Sequence, residues 1–202
     1  MPGDSLPPEK FYGKHVVEMA EQRGEDGLRP RYRALRDYFL SHVPGHRILD
    51  LGCGHGRDVA YFVEQGYEAV GIDLAAAMVA YAQDQQQGTF YEMDMRDLAF
   101  DPDTFDGVWA SASLFFLPPE DVPPVLAGVR RVLTDHGVLQ ANFKRGTGRY
   151  VKDRWGDAVV EYHFSDAEIR EMVQSAGFEV RSRTRNQSPG GNEFLNYLCR
   201  PV

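Results

Sequence analysis

The chain has 202 residues, of which 43% are hydrophobic, 26% charged and 12% aromatic. That length suits a single domain whose core needs no disulfide or metal staple, and the composition excludes disorder as the main state. With 22 basic against 30 acidic residues the net charge is -8; this argues against nucleic acid as a partner, because phosphate binding needs local positive charge.

No apolar run reaches the ~18 residues of a membrane span. The opening MPGDSLPPEK lacks the basic-then-apolar order of a secretory signal. A cytoplasmic protein with no membrane partner is expected. Cys53 and Cys199 form no CxxC pair, and the six histidines give no HxH or HExxH. No protein-held metal is expected.

In chain order, Pro2, Pro7 and Pro8 mark an irregular lead. Helices are predicted over residues 9–23 and 28–42; in the second, Leu28, Tyr32, Leu35, Tyr38 and Phe39 recur at helical spacing. Pro44-Gly45 ends that pair. Arg47-Ile48-Leu49-Asp50-Leu51 then reads as a buried strand running into glycines. Next come a helix over 57–65 closed by Gly66, a strand over 68–72, and an Ala-rich helix through Ala82. Strands are predicted at 89–93 and 105–110, a helix from Pro118-Pro119 to Leu133, and a fifth strand at 137–143. Ser165-Asp166-Ala167-Glu168 has the form of a capping box, and Gly177 closes the helix it opens. Two last strands, 178–186 and 192–199, flank Ser188-Pro189-Gly190-Gly191 as an antiparallel hairpin. Alternating strands and helices predict an α/β fold with a doubly wound, mostly parallel, seven-stranded sheet. It forms one domain, residues 28–202, behind a helical segment at 1–27.

Asp50-Leu51-Gly52-Cys53-Gly54-His55-Gly56 follows the first strand and opens a helix. Glycines there let a backbone turn tightly and approach a ligand, and helix N-terminal amides face whatever binds. The third glycine falls one residue early for a dinucleotide fingerprint, with Arg57 in its place. Asp50 would repel a pyrophosphate and welcome a cationic amine. Asp73 ends the second strand, where an acid can accept both ribose hydroxyls, and it can also cap the following helix. Asp94 closes the third strand, where its oxygen can take an adenine amino group or lie in a solvated loop with Asp97. Cys53 reads as a small loop residue rather than a nucleophile, and His55 either touches the ligand or is solvated. Three strand-end acids around one crevice imply a nucleoside with a cationic, phosphate-free tail, which S-adenosylmethionine fits.

RILDLGCGHGRD, AVGIDLAAAM, MDMRDL and FDGVWASASLFFLP resemble the four successive cofactor motifs of class I S-adenosylmethionine-dependent methyltransferases. VRRVLTDHGVLQANFK and HFSDAEIREMVQSAGFEV resemble that family's last helix, strand and C-terminal layout. More narrowly, the chain resembles small bacterial methyltransferases grouped with tellurite-resistance-type enzymes. The resemblance implies the Rossmann-like methyltransferase fold and S-adenosylmethionine as cofactor. It implies that Asp50, Gly52, Cys53 and Gly54, with Gly56 and Arg57 beside them, hold the methionyl part. Asp73 would take the ribose, Leu74 and Met78 would pack near the adenine, and Asp94 and Met95 would frame it. Ala110, Ser111 and Leu114 would line the side near the sulfonium. Phe116 stands where relatives commonly carry His, which removes one source of a base.

Methyl transfer depends mainly on alignment, with a base useful for a neutral nucleophile. The catalytic candidates are His163, Tyr162, Lys144 and Tyr12, with His15 beside them. No Asn/Asp-Pro-Pro-Tyr or Pro-Cys motif follows the fourth strand to grip a flipped base. Arg181, Arg183 and Arg185 alternate as on a guarded edge strand, RNA contact being the lesser reading. A small-molecule acceptor is expected, on a monomer or homodimer. Other uses of the cofactor (cyclisation or cleavage) and a non-catalytic nucleoside-binding module are the rival readings. Residues 1–27, with Tyr12 inward and Gly24 and Gly27 as hinges, are expected to close over the cofactor as a lid.

Overall fold

The computed structural model describes residues 5–27, 30–188 and 191–202, without side chains at 23–27. The lead before Ser5, the helix start at Leu28 and the turn residues Pro189-Gly190 lie outside the described residues. The elements run α1 (Pro8–Lys14), α2 (Val16–Gly27), α3 (Pro30–Leu40), β1 (Arg47–Leu51), α4 (Arg57–Glu64), β2 (Glu68–Asp73), α5 (Ala76–Gln85), β3 (Thr89–Glu92), β4 (Phe105–Ala110), α6 (Val122–Val132), β5 (Leu133–Arg145), β6 (Gly148–Arg154), β7 (Asp157–Phe164), α7 (Asp166–Ser175), β8 (Phe178–Gln187) and β9 (Glu193–Pro201).

The strands form one sheet in the order β3-β2-β1-β4-β5-β7-β6, with β9 on β5 and β8 on β9. Strands β1 to β5 pair in parallel, Ile48 opposite Ala69 on one side and Gly107 on the other. The C-terminal hairpin is antiparallel, as expected. Along β1, Ile48 and Leu49 are both fully buried and point into different halves of the core, so helices cover both faces. One half gathers Leu49, Leu51, Val108 and the apolar face of α6; the other packs Phe39, Phe62 and Trp109 around Ile48. Each such buried aromatic or aliphatic side chain contributes about 1.5–3 kcal/mol by leaving water. The capping box at Ser165 is formed: Glu168 N–H donates to Ser165 Oγ at 3.3 Å, and Ser165 N–H donates to Glu168 Oε2 at 2.7 Å.

Two expectations are corrected. Among the described residues the sheet has nine strands, not seven, because β6 and β7 pair as an extra hairpin, Lys152 opposite Val159. Residues Arg149 to Lys152 are polar or exposed on both faces, so no buried alternation marks the strand. The hairpin instead rests on its turn, where Trp155 and Gly156 both have positive φ (54° and 82°), as a tight two-residue connection requires. The predicted helix over 9–23 breaks at His15 into α1 and α2, and Gly24 lies inside α2 rather than at a hinge.

The added hairpin and the N-terminal helices clasp each other above the C-terminal ends of the strands. Leu6 N–H donates to Ala158 O at 2.8 Å, and Phe11 stacks on Trp155 with centroids 5.8 Å apart. Asp157 takes Lys14 at 2.6 Å and His15 Nε2 at 2.7 Å. This clasp roofs the crevice in which strand-end ligands bind.

Candidate active site

Two clefts open at the C-terminal edge of the sheet, and they share a wall. The first, about 490 Å³, runs from Asp50 and the glycine turn past Asp73, Met78, Asp94 and Met95 to Ser111, Ser113 and Phe116. Tyr12, Met19 and the chain from Ser5 to Glu9 cover it. The second, about 410 Å³, lies between α3 and the strand ends of β5, β8 and β9. Arg57, Ser111 and Ala112 border both.

The glycine turn has no room for a side chain. Gly52 has φ +80°, and a Cβ on it would stand 2.5 Å from Ser113 Cβ. Its backbone therefore lies bare toward the cleft. Asp73 tethers the turn, accepting Gly54 N–H at 2.8 Å through one oxygen and Ala75 N–H at 2.9 Å through the other. Each oxygen keeps a second lone pair for a ligand. Burial raises the Asp73 carboxyl, against those amides. Asp50 is buried beside it, and burial followed by the charges of Asp58 and Asp73 pushes it well above the usual carboxylate range, against Arg57. Asp94 is committed to Arg96, which reaches it at 2.7 Å, and that pairing lowers its pKa.

Behind the shared wall lies Asp58, buried and central. It accepts Tyr32 Oη at 2.7 Å, Trp109 Nε1 at 3.1 Å, Arg57 Nε at 3.0 Å and Arg36 Nη1 at 3.3 Å. Burial alone would raise its pKa; Arg57, Arg36 and Tyr32 prevail and hold it at about 2. Tyr32 also meets Ser111 Oγ at 2.9 Å. Asn142 completes the wall: its Oδ1 accepts Ala112 N–H at 2.8 Å, and its Nδ2 donates to Ser111 Oγ at 3.2 Å. Ala112 is thereby held at φ 58°, an unfavourable conformation for alanine.

Of the residues predicted to hold cofactor, Asp50, Gly52, Cys53, Gly54, Arg57, Asp73, Leu74, Met78, Asp94, Met95 and Ser111 line the first cleft. Ala110 and Leu114 are buried in the core and border neither cleft. The four catalytic candidates do not converge. Tyr12 and Tyr162 line the first cleft, Lys144 the second, and His163 neither. His163 stacks on Tyr150 at 3.9 Å, and burial and Lys144 lower its pKa. Sequence reasoning gave no role to Asp58, Tyr32, Asn142 or Ser113.

An S-adenosyl cofactor fits the first cleft on this chain's own evidence. The Gly52 turn leaves backbone bare, and the buried carboxyls of Asp50 and Asp73 stay raised despite Arg57 beside the one and the backbone amides on the other. Ser113 Oγ, 4% exposed, has no hydrogen-bond partner among the described residues; a buried hydroxyl in that state calls for a ligand. Among the described residues no group of three or more His, Cys, Asp or Glu side chains gathers to hold a metal. No described helix is long and apolar enough to cross a membrane.

Residues 48–137 match the family model described as a methyltransferase domain. An uncharacterized methyltransferase of Synechocystis sp. is 31% identical over 114 residues, covering 56% of this chain and 54% of that protein. An 18S rRNA (guanine-N(7))-methyltransferase of Schizosaccharomyces pombe is 29% identical over 193 residues, 88% of this chain and 65% of its own. The chain thus spans less than two thirds of either curated relative. Among solved structures, the Burkholderia thailandensis 1,6-didemethyltoxoflavin-N1-methyltransferase, with bound 1,6-didemethyltoxoflavin and S-adenosylhomocysteine, superposes with a TM-score of 0.75 at 22% identity. That match covers 98% of this chain and 91% of the other. Part of this chain, residues 48–137, thus matches a methyltransferase domain, and the chain as a whole shares the α/β fold of that solved methyltransferase.

Proposed function

We propose that the protein transfers a methyl group from S-adenosylmethionine to a small molecule. The observation that carries this reading is the pair of clefts meeting at Ser111 and Ala112, one shaped for a nucleoside with a cationic tail and one of small-molecule size. When bound, the cofactor supplies an electrophilic methyl carbon. This chain's residues bind and orient. Asp50 faces the cationic end, Asp73 the ribose, Met78 and Met95 the adenine, and Asp94 lies on that side with its charge held by Arg96. The clasp of α1 against the β6–β7 hairpin excludes water, with Tyr12 edge-on to Phe116 at 5.2 Å. In this reading residues 1–27 act as a lid.

A small molecule is preferred to RNA because the arginine stripe on β8 is neutralised: Arg181 pairs with Glu179, Arg183 with Asp166 and Arg185 with Glu193. A cytoplasmic location and the narrower kinship with tellurite-resistance-type enzymes rest on the sequence alone. The test is incubation with methyl-labelled cofactor and a cell extract that retains both small metabolites and rRNA. The expected result is a labelled small molecule with stoichiometric S-adenosylhomocysteine. Methylthioadenosine as product would establish cofactor cleavage or cyclisation instead, label in rRNA would replace the acceptor class, and no turnover would favour a binding module.

A further inference from the structure

The second cleft has a chemistry that cofactor binding does not explain. In a chain of net charge -8, its described lining carries four cations, Arg31, Arg57, Lys144 and Arg154, and one carboxylate, Glu161. Arg57 is satisfied from behind by Asp58, and Lys144 Nζ donates to Glu161. Arg31 and Arg154 then remain without a carboxylate in the lining, so the cavity is positive. Lys144 is nearly fully buried, with its ammonium 4.7 Å from the Phe115 ring centre and 5.8 Å from that of Phe194. Burial lowers its pKa, Glu161 opposes this, and the nearby charges of Arg154 and Lys152 lower it further. An anion would relieve that crowding. The rings of Phe115 and Phe194, with centres 6.1 Å apart, offer apolar faces suited to a flat body.

A second observation is independent of charge. Asn196 is 4% exposed and lines the cleft; its Nδ2 donates to Asn186 at 2.6 Å, and its Oδ1 has no partner among the described residues. A buried carbonyl oxygen left in that state calls for a donor on the occupant. The described lining offers no histidine, its one carboxylate is spent on Lys144, and burial keeps the Tyr32 hydroxyl protonated. A neutral hydroxyl would find no base there.

We propose, resting on the methyltransferase reading above, that this cleft is the acceptor pocket and takes a small planar organic anion whose ionised oxygen is the nucleophile. The oxygen lone pair forms the new O–CH₃ bond, and the S–CH₃ bond breaks with its electron pair passing to sulfur. Sulfonium and acceptor each lose one charge, and no proton has to leave. The neutral product no longer complements the cations, which favours its release.

The test uses three probes of one shape, benzoate, benzamide and benzamidine, titrated by NMR into the full chain saturated with S-adenosylhomocysteine. Benzoate is expected to bind roughly tenfold more tightly than benzamide, since charge-assisted hydrogen bonds are about twice as strong as neutral ones, with benzamidine weakest. Arg154→Gln, at a guanidinium that lies 5.3 Å from the Trp155 ring centre, should narrow the gap to roughly threefold or less with S-adenosylhomocysteine affinity unchanged. The double variant Lys144→Met/Glu161→Gln, which strands no buried charge, should narrow it likewise. Benzamide or benzamidine matching benzoate, no binding of benzoate, or a gap unmoved by Arg154→Gln overturns the proposal. Failure of S-adenosylhomocysteine to bind at all would instead overturn the methyltransferase reading beneath it. Alkaline treatment of labelled product separates a carboxylate ester, which hydrolyses, from an aryl or enol ether.

Discussion

Asp58 is the point at which one substitution should do the most damage. Its carboxylate holds two guanidinium groups, a phenol and an indole N–H behind the wall between the clefts. Removing one partner of a buried ion pair costs about 3–5 kcal/mol, because the other charge is left without compensation. Asp58→Ala takes this carboxylate from Arg36 and Arg57 at once, so the upper half of that range applies, about 4–5 kcal/mol. For a domain of this size each kcal/mol lowers the Tm by about 2–4 °C, giving a fall of about 8–20 °C. Linkage supplies a second estimate. A carboxyl held at about 2 instead of its ordinary value of 3.8 corresponds to about 2 kcal/mol from ionisation alone. The folded pKa is the lower one, so this stability is present above pH ~4 and is lost as pH falls toward 2. Asp58→Asn removes the charge and leaves little cavity, so its cost should lie between the two figures. Urea denaturation followed by circular dichroism at pH 7 measures all three proteins. A loss below about 1 kcal/mol for Asp58→Ala, within the range of a surface pair, would refute the hub.

Gly52→Ala forces a side chain onto φ +80° and against Ser113; strain and overpacking together should cost about 2–4 kcal/mol, and full S-adenosylhomocysteine affinity in calorimetry would show that the turn yields. The raised Asp50 carboxyl makes affinity for that ammonium-bearing ligand fall as pH drops through the Asp50 value. Binding near that value should release a proton, visible as a buffer-dependent calorimetric enthalpy. Affinity flat with pH would remove Asp50 from the cationic end. Deleting residues 1–23 strips Tyr12 and Met19 from the cleft and should weaken S-adenosylhomocysteine by roughly tenfold or more while the sheet keeps its circular dichroism; unchanged affinity would end the lid reading.

What the sequence displayed, and what it hid, follows from the period of each pattern. Strands β1, β2 and β4 were legible because each is a short, largely buried run bounded by glycine, proline or acid, and β3 because Thr89-Phe90-Tyr91 is a run of strand-forming residues, although only Phe90 is buried. The three strand-end acids were legible because they sit at a fixed place relative to those runs. The β6–β7 hairpin was not, since its outer strand has no apolar face and its stability comes from a turn and from contacts with α1 more than a hundred residues earlier in the chain. Asp58 was hidden for a different reason: an acid in the first turn of a helix ordinarily reads as a favourable solvated charge, and only the arrival of Arg36 and Tyr32 from α3 turns it into a buried hub.

The second cleft did leave a signal. In β5, Gln140, Asn142 and Lys144 alternate with Leu139, Ala141 and Phe143, and side chains two apart on a strand share a face. All three polar residues are buried, in an interior strand that has β4 on one side and β9, then β7 from Lys144 on, along the other. Three buried polar groups in a row on a central strand cost stability unless each is hydrogen-bonded or meets a ligand. Asn142 and Lys144 resolve that cost in different ways. Asn142 spends its amide on the strained Ala112 and on Ser111, which fixes the wall between the clefts. Lys144 spends its charge on Glu161, a residue of the hairpin that the sequence did not reveal. The polar face of β5 therefore acquires its meaning only when β7 is laid beside it, which is why Lys144 could be singled out from the sequence while the pocket it serves could not.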